Sequence, residues 1–380
     1  MSFVLTEEQE ILQRTTREFV AGKSPMKRVR DLRDAGETFS RPLWQEMAAL
    51  GWVGLLLPEQ YGGAGLGYVD LMVVMEELGR GLVPEPMLST VLLGANAILL
   101  AGSEAQKEAH LPAVASGERL LALAWQEPGS RYDSTHVQTR AERKGEGWVL
   151  TGEKSHVQGG DAADWFVVSA RTAGGPHDAD GIGLFLVPRT AAGLVVEPQH
   201  LIDARGAALL HLGGVAVGGD AVLGAPAGGG AVLARVLDRA TIALTAEMLG
   251  AMTATFEMTL DYLKTRQQFG VVIGSFQALK HRAARMFIET ELARSVVMAA
   301  HAAVDEGASD AQVARLASVA KARCSDAFVL IGNEGVQMHG GIGMTDEHDV
   351  GFFLKRARVA ELTFGDAAWH RDRVARIDGY

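Results

Sequence analysis

Along the first third of the chain, apolar residues recur at the spacing of a helix face. Ile11, Phe19 and Leu32, then Leu43, Met47 and Leu50, then Leu71, Val74, Met75 and Leu78 follow it. This predicts helices from Thr6 to about Glu118. Thr6 with Gln9 reads as a capping box opening the first. The glycine-rich stretch from Pro58 to Gly67 interrupts the pattern as a loop. Met87 to Ala101 is the most apolar run, but Ser89, Thr90 and Asn96 break it. It is too short to span a bilayer and predicts a buried helix.

From about Arg119 the period shortens. Leu120–Trp125, Trp148–Thr151, Trp165–Ala170, Gly183–Val187, Leu194–Glu197 and Leu209–Val217 are β-rich runs separated by Gly, Pro and Asp clusters. They predict an antiparallel barrel or sandwich. Ala227-Gly228-Gly229-Gly230 marks a boundary, after which the helical period returns, with breaks at Gly270, Gly307 and Gly340–Gly343. The expectation is an α+β multidomain chain. It comprises an N-terminal helical domain over 1–118, a middle β domain over 119–225 and a C-terminal helical bundle over 226–380. A length of 380 residues exceeds a single core.

The net charge of −10 argues against a nucleic-acid partner. Cys324 is the one cysteine, which excludes an internal disulfide and suits a reducing cytoplasm. The N-terminal stretch is acidic through Glu7, Glu8 and Glu10, unlike a secretion signal. The histidines show no HExxH or paired-cysteine spacing, so no metal site is expected. Cys324 reads as packing. Arg28, Arg30 and Arg33 read as a solvated face.

Candidate chemistry concentrates near the end of a long helical pattern, in Tyr262-Leu-Lys-Thr-Arg266-Gln-Gln268-Phe269-Gly270, followed by Phe276-Gln277 and His281. Gly270 is placed to end the helix as a C-cap. Arg266, in the last turn, either serves the helix C-terminus or projects as a bidentate fork for a phosphate. Phe269 and Gln277 add an aromatic face and an amide suited to a heterocyclic base. Further on stands Gln337-Met-His339-Gly340-Gly341-Ile-Gly343, where paired glycines let backbone approach a ligand.

These two stretches, in this order, resemble the signatures of the acyl-CoA dehydrogenase family, and the helical, β, helical order resembles its architecture. The resemblance covers nearly the whole chain. It implies FAD as cofactor. Arg266, Gln268 and Phe269 would hold the pyrophosphate and adenine end together with Gln277. Gln337, Gly340 and Gly341 would approach the same FAD from a neighbouring subunit. Weaker matches lie in the β segment. Trp125-Gln126-Glu127-Pro128 resembles a strand end that lines flavin and thioester, with Gln126 where threonine is usual. Gly152-Glu-Lys154-Ser-His156-Val157-Gln158 resembles the strand that packs on the isoalloxazine ring.

The implied reaction is α,β-dehydrogenation of an acyl-CoA. A base takes the Cα proton while hydride leaves Cβ for flavin N5. The position of the usual glutamate is occupied by Phe364 in Leu362-Thr-Phe364-Gly-Asp366, and the alternative position by Ala240 and Thr241. The Phe364 backbone N–H still offers a donor to the thioester. Two carboxylates remain as candidate bases. Glu247 lies two turns further along the long helix, with Ala243, Leu244, Gly250 and Ala251 around it and no basic partner along the helix. A carboxylate there is poorly solvated, as a base poised near neutrality requires. An ion pair with an arginine from another element is the alternative. Asp366 is the second candidate, though Gly-Asp is also a common turn pair.

Three functions stay open on these residues. One is an active dehydrogenase that uses Glu247, expected to act on a bulky acyl-CoA. Another is a subunit completing FAD sites in a heterotetramer. The third is a flavin monooxygenase or oxidase of the same fold. Implied partners are an acyl-CoA substrate, an electron-accepting flavoprotein and further subunits, in a homo-oligomer or a heterotetramer.

Overall fold

The computed structural model describes residues 4–380. Its helices are α1 (Glu7–Lys23), α2 (Met26–Ala35), α3 (Arg41–Ala49), α4 (Tyr68–Arg80), α5 (Asn96–Ala101) and α6 (Glu104–Ala115), then, after the sheet, α7 (Gly229–Thr265), α8 (Gln277–Asp305), α9 (Asp310–His339), α10 (Val350–Leu362) and α11 (Ala367–Ile377). The strands are β1 (Leu121–Ala124), β2 (Arg140–Lys144), β3 (Gly147–Gln158), β4 (Trp165–Arg171), β5 (Ile182–Pro188), β6 (Leu194–His200) and β7 (Gly206–Val217). The capping box at Thr6 and Gln9 forms in both directions. Met87–Ala95 is buried as expected, but as a π-helix that runs into α5. No helix of the described residues is long and apolar enough to cross a membrane.

The chain forms two compact units. One contains Gly36–Gly67 and Pro84–Ala240. Its sheet runs in the order β1-β4-β2-β3-β7-β6, with β5 on β4. The expected antiparallel pairing holds for most of it, but β1 and β4 are parallel. A parallel pair needs a long connection, and the hairpin of β2 and β3 supplies it. Strand β2 escapes the sequence pattern because only Ala141 of it is buried. It pairs with β3 along its whole length. Between Lys154 and Val157 the register of β3 on β7 shifts, and His156 takes φ +50°. That bulge bends the end of β3.

The other unit joins the chain up to Ala35, Tyr68–Val83 and Thr241–Tyr380. Ile242 of α7 packs with Ala300, Val313, Ala317 and Ala320 of α8 and α9. α4 crosses α7 at a pair of glycines. A Cβ at Gly79 would collide with the Glu247 carbonyl, and one at Gly250 with the Glu76 carbonyl. Glycine is therefore required for the helices to approach this closely. Ion pairs flank the crossing, Arg294–Glu76 and Arg17–Glu77, each at 2.7 Å.

Candidate functional site

Helix α7 ends at Thr265, and Arg266 is its last hydrogen-bonded residue, its N–H donating to Tyr262 at 2.9 Å. Gly270 is not the C-cap that the sequence suggests. Gln267–Gln268 and Val271–Val272 pair as a small hairpin, and Phe269 and Gly270 form its turn with φ +55° and +76°. Two left-handed residues in succession make the turn that a two-residue hairpin prefers. The Ile273 N–H donates to the Arg266 carbonyl at 2.9 Å, which fastens the hairpin to the helix end.

This hairpin leads into α8, whose N-cap Phe276 offers no side-chain acceptor. Arg266, Gln268 and Gln277 are exposed, and Phe269 is 91% exposed, its ring 6.1 Å from Phe276. A guanidinium and an uncapped helix N-terminus on one rigid segment suit a pyrophosphate. A phenyl ring held out at the turn suits a planar base. The residues thus fit the phosphate-and-adenine end of a dinucleotide such as FAD.

The second motif follows α9. Gln337 is exposed, and a Cβ at Gly340 or Gly341 would meet only open space. His339 is buried beneath, its Nδ1 donating to the Gly335 carbonyl at 2.7 Å. Burial pushes its pKa down. Its ring lies 4.5 Å from Tyr262 and 4.2 Å from His348. The base of the glycine loop therefore rests one turn from Arg266 on α7. Sequence gave no sign of this contact. Arg30 and Arg33 are not a solvated face. They pair with Asp346 and Asp349, Arg30–Asp349 at 2.9 Å and Arg33–Asp346 at 2.6 Å, and lie over the Phe352 ring. They tie α2 to the segment following the glycine loop.

Both candidate bases have partners. Glu247 Oε1 meets Arg356 Nη1 of α10 at 2.6 Å, and both side chains are buried. The small-residue surround along α7 is as expected, but a guanidinium closes it from another helix. Asp366 is the N-cap of α11, its Oδ1 accepting the Trp369 N–H at 2.9 Å. Phe364 is buried with φ +60°. Among the described residues its N–H donates to no other group, so the donor foreseen there is available. Cys324 is buried against the Thr245 carbonyl, and burial pushes its thiol up to about 12, against Lys321 and Arg323. Packing is the role this supports. His281 is exposed. No cluster of metal-ligating side chains occurs among the described residues.

In the sheet-bearing unit, Lys154 and Glu127 form a fully buried ion pair at 2.6 Å. Ser169 Oγ accepts from Lys154 at 2.9 Å, and Glu127 also accepts the N–H groups of Gln138 and Thr139. Burial pushes Lys154 down to about 8, with Glu127 pulling the other way. Burial works against the Glu127 charge, yet Lys154 and the N–H donors hold its carboxyl below the usual range. The pair fastens the end of β1 to β3. Beside it the Ser155 N–H donates to the Gln126 carbonyl at 2.9 Å. Gln126 and Gln158 are half-buried and Val157 is buried. The strand ends singled out from sequence are thus joined by a contact that needed the fold to be seen.

Family models match most of the chain. They are described as acyl-CoA dehydrogenase N-terminal domain over residues 6–118, middle domain over 122–212 and C-terminal domain over 227–377. A probable acyl-CoA dehydrogenase, YngJ of Bacillus subtilis, is 31% identical over 99% of both chains. A solved structure described as a Tcur3481–Tcur3483 steroid ACAD variant is 33% identical, with a TM-score of 0.87 and 98% of each chain covered. The ChsE4–ChsE5 complex from Mycobacterium tuberculosis is 28% identical, with a TM-score of 0.89, covering 99% of this chain and 98% of that one. The chain belongs to the acyl-CoA dehydrogenase family, a family of FAD-dependent oxidoreductases.

Proposed function

We propose that this member of the acyl-CoA dehydrogenase family serves α,β-dehydrogenation of an acyl-CoA thioester as one subunit of an oligomer, with the α-proton taken by a carboxylate of a homologous second chain. One observation carries the reading: the chain's own candidate bases are engaged. Glu247 is paired with Arg356 and Asp366 caps α11, and the family resemblance puts Phe364 at the usual position.

Such a subunit keeps the parts that bind and orient. Arg266, Gln268, Phe269 and Gln277 hold the pyrophosphate and adenine end of FAD. Gln337, Gly340 and Gly341 approach it from a neighbouring subunit. Gln126, Val157 and Gln158 serve the flavin ring. The Phe364 N–H polarises the thioester as enolate charge develops. FAD, when bound, would supply the hydride acceptor, and an electron-accepting flavoprotein is the expected partner. The division into 1–118, 119–225 and 226–380 is supported by the spans of the family matches. A complex of two chains among the similar structures supports a heteromeric assembly. The description of another as a steroid ACAD supports a bulky acyl group.

A second reading makes Glu247 the base. Its burial beside the α4–α7 crossing, away from bulk water, favours it. Anaerobic reduction by butyryl-, isovaleryl- and steroid-side-chain CoA thioesters separates the readings. We expect no reduction of the chain alone and reduction after co-expression with a homologous second chain. Reduction of the lone chain, lost in Glu247→Gln, would establish the second reading. If no thioester reduces either preparation, and reduced flavin consumes oxygen with a hydroxylated product, the protein is a monooxygenase.

A further inference from the structure

Lys321 lies in α9 and is fully buried. Its Nζ donates to the carbonyls of Gly365 at 2.7 Å and Glu361 at 2.9 Å, and to Ser325 Oγ at 3.0 Å. An ammonium has three donors, and all are used. Of its acceptors, Glu361 O belongs to the last turn of α10, where carbonyls lack helical partners. Gly365 O belongs to the turn that follows. That turn is strained: Phe364 has φ +60° and Gly365 φ +122°. A left-handed phenylalanine costs free energy and persists only where its surroundings over-determine it. A Cβ at Gly365 would lie 2.6 Å from the Trp369 ring and 2.9 Å from His370 Nε2, so α11 confines the turn from the other side. The same turn carries the free Phe364 N–H.

We propose that Lys321 is a positioning residue for the thioester site, its ammonium holding the Phe364–Gly365 turn in the conformation that presents the Phe364 N–H. This rests on the dehydrogenation reading for its purpose, but not for its geometry. The groups facing Lys321 are Cys324 and Ser325 on α9, Glu361 on α10, and Asp366 and His370 at α11. Burial pushes Lys321 down to about 7, while Cys324, Glu361 and Asp366 act the other way. Burial, then Lys321 and Arg373, pushes His370 down to about 2, against the Phe364 backbone. His370 thus stays neutral across the range in which Lys321 changes charge. A neutral amine has one donor fewer, so the tie loosens as pH rises through that range.

Lys321→Met keeps the stem and removes the donors. Hydrogen exchange of holoenzyme amides in 362–367, corrected for intrinsic rates, is compared with those of α9. We expect at least tenfold faster exchange in the turn of the variant, with α9 still protected. Wild type should show a rise in corrected exchange at the turn as pH is raised through about 7, and the variant none. Unchanged exchange in the turn, or equal loss of protection throughout α9, would overturn the proposal. Single-turnover reduction by isovaleryl-CoA, in the pairing that supports it, should slow at least tenfold with the apparent thioester affinity little changed. If no pairing is ever reduced, the dehydrogenation reading fails, while the exchange measurement still decides what Lys321 holds.

Discussion

Glu247 and Arg356 meet at 2.6 Å across helices α7 and α10, and neither side chain is more than 9% exposed. A buried pair is costly to break from one side, because the remaining charge has no compensation. Glu247→Gln should therefore destabilise the fold by about 3–5 kcal/mol, seen as a lower unfolding midpoint. Under the subunit reading, flavin reduction in the reconstituted complex should be little changed. A loss of about 10²–10⁴ in single-turnover rate with normal flavin content would make Glu247 the base instead. Asp366→Asn is the companion control.

Arg266→Ala should weaken flavin retention. A charge-assisted phosphate contact contributes roughly 1.5–3 kcal/mol, one to two orders of magnitude in affinity. Bound flavin per chain after dialysis measures it. Equal content in variant and wild type would remove Arg266 from the site.

Phe364→Leu should retain most of any activity, since the position fills space and supplies a backbone donor. A hundredfold loss of turnover, with normal folding and flavin content, would mean that the ring itself takes part.

Gly79→Ala should destabilise by about 1–3 kcal/mol, as overpacking does. Its Cβ would press on the Glu247 carbonyl and part α4 from α7. Chemical denaturation reads the change. An unaltered midpoint would mean that the helices separate without cost.

Acid should destabilise the protein through buried neutral histidines. Burial pushes His301 down to about 4 from an ordinary 6.5. Burial, then Arg119, does the same for His110. The unfolded chain binds more protons than the native one between these values, so stability is full above pH 6.5 and falls as pH drops towards 4. Each such group removes about 1.4 kcal/mol per pH unit in that window. His301→Leu should flatten the decline in urea midpoint between pH 6.5 and 4 relative to wild type. Parallel pH curves would refute the assignment.

Much of this molecule was legible before its fold. The helical period and the capping box at Thr6 follow from local rules, because a helix closes its hydrogen bonds within a few residues. The family signatures around Arg266 and Gly340 were also local. So was the chemistry open to Phe364, since a phenyl ring accepts no proton in any fold. What sequence could not supply was long-range. Strand β2 carries no apolar alternation, and pairing, chiefly with β3, makes it a strand. Gly270 has the left-handed backbone expected of a C-cap, but pairing of the flanking residues makes it a hairpin turn. Arg30 and Arg33 found acidic partners more than three hundred residues away. Above all, the surround of Glu247 along its own helix shows no cation, and α10 brings one. Which charges meet inside a protein is decided by how helices cross, and that depends on the packing of every layer between them.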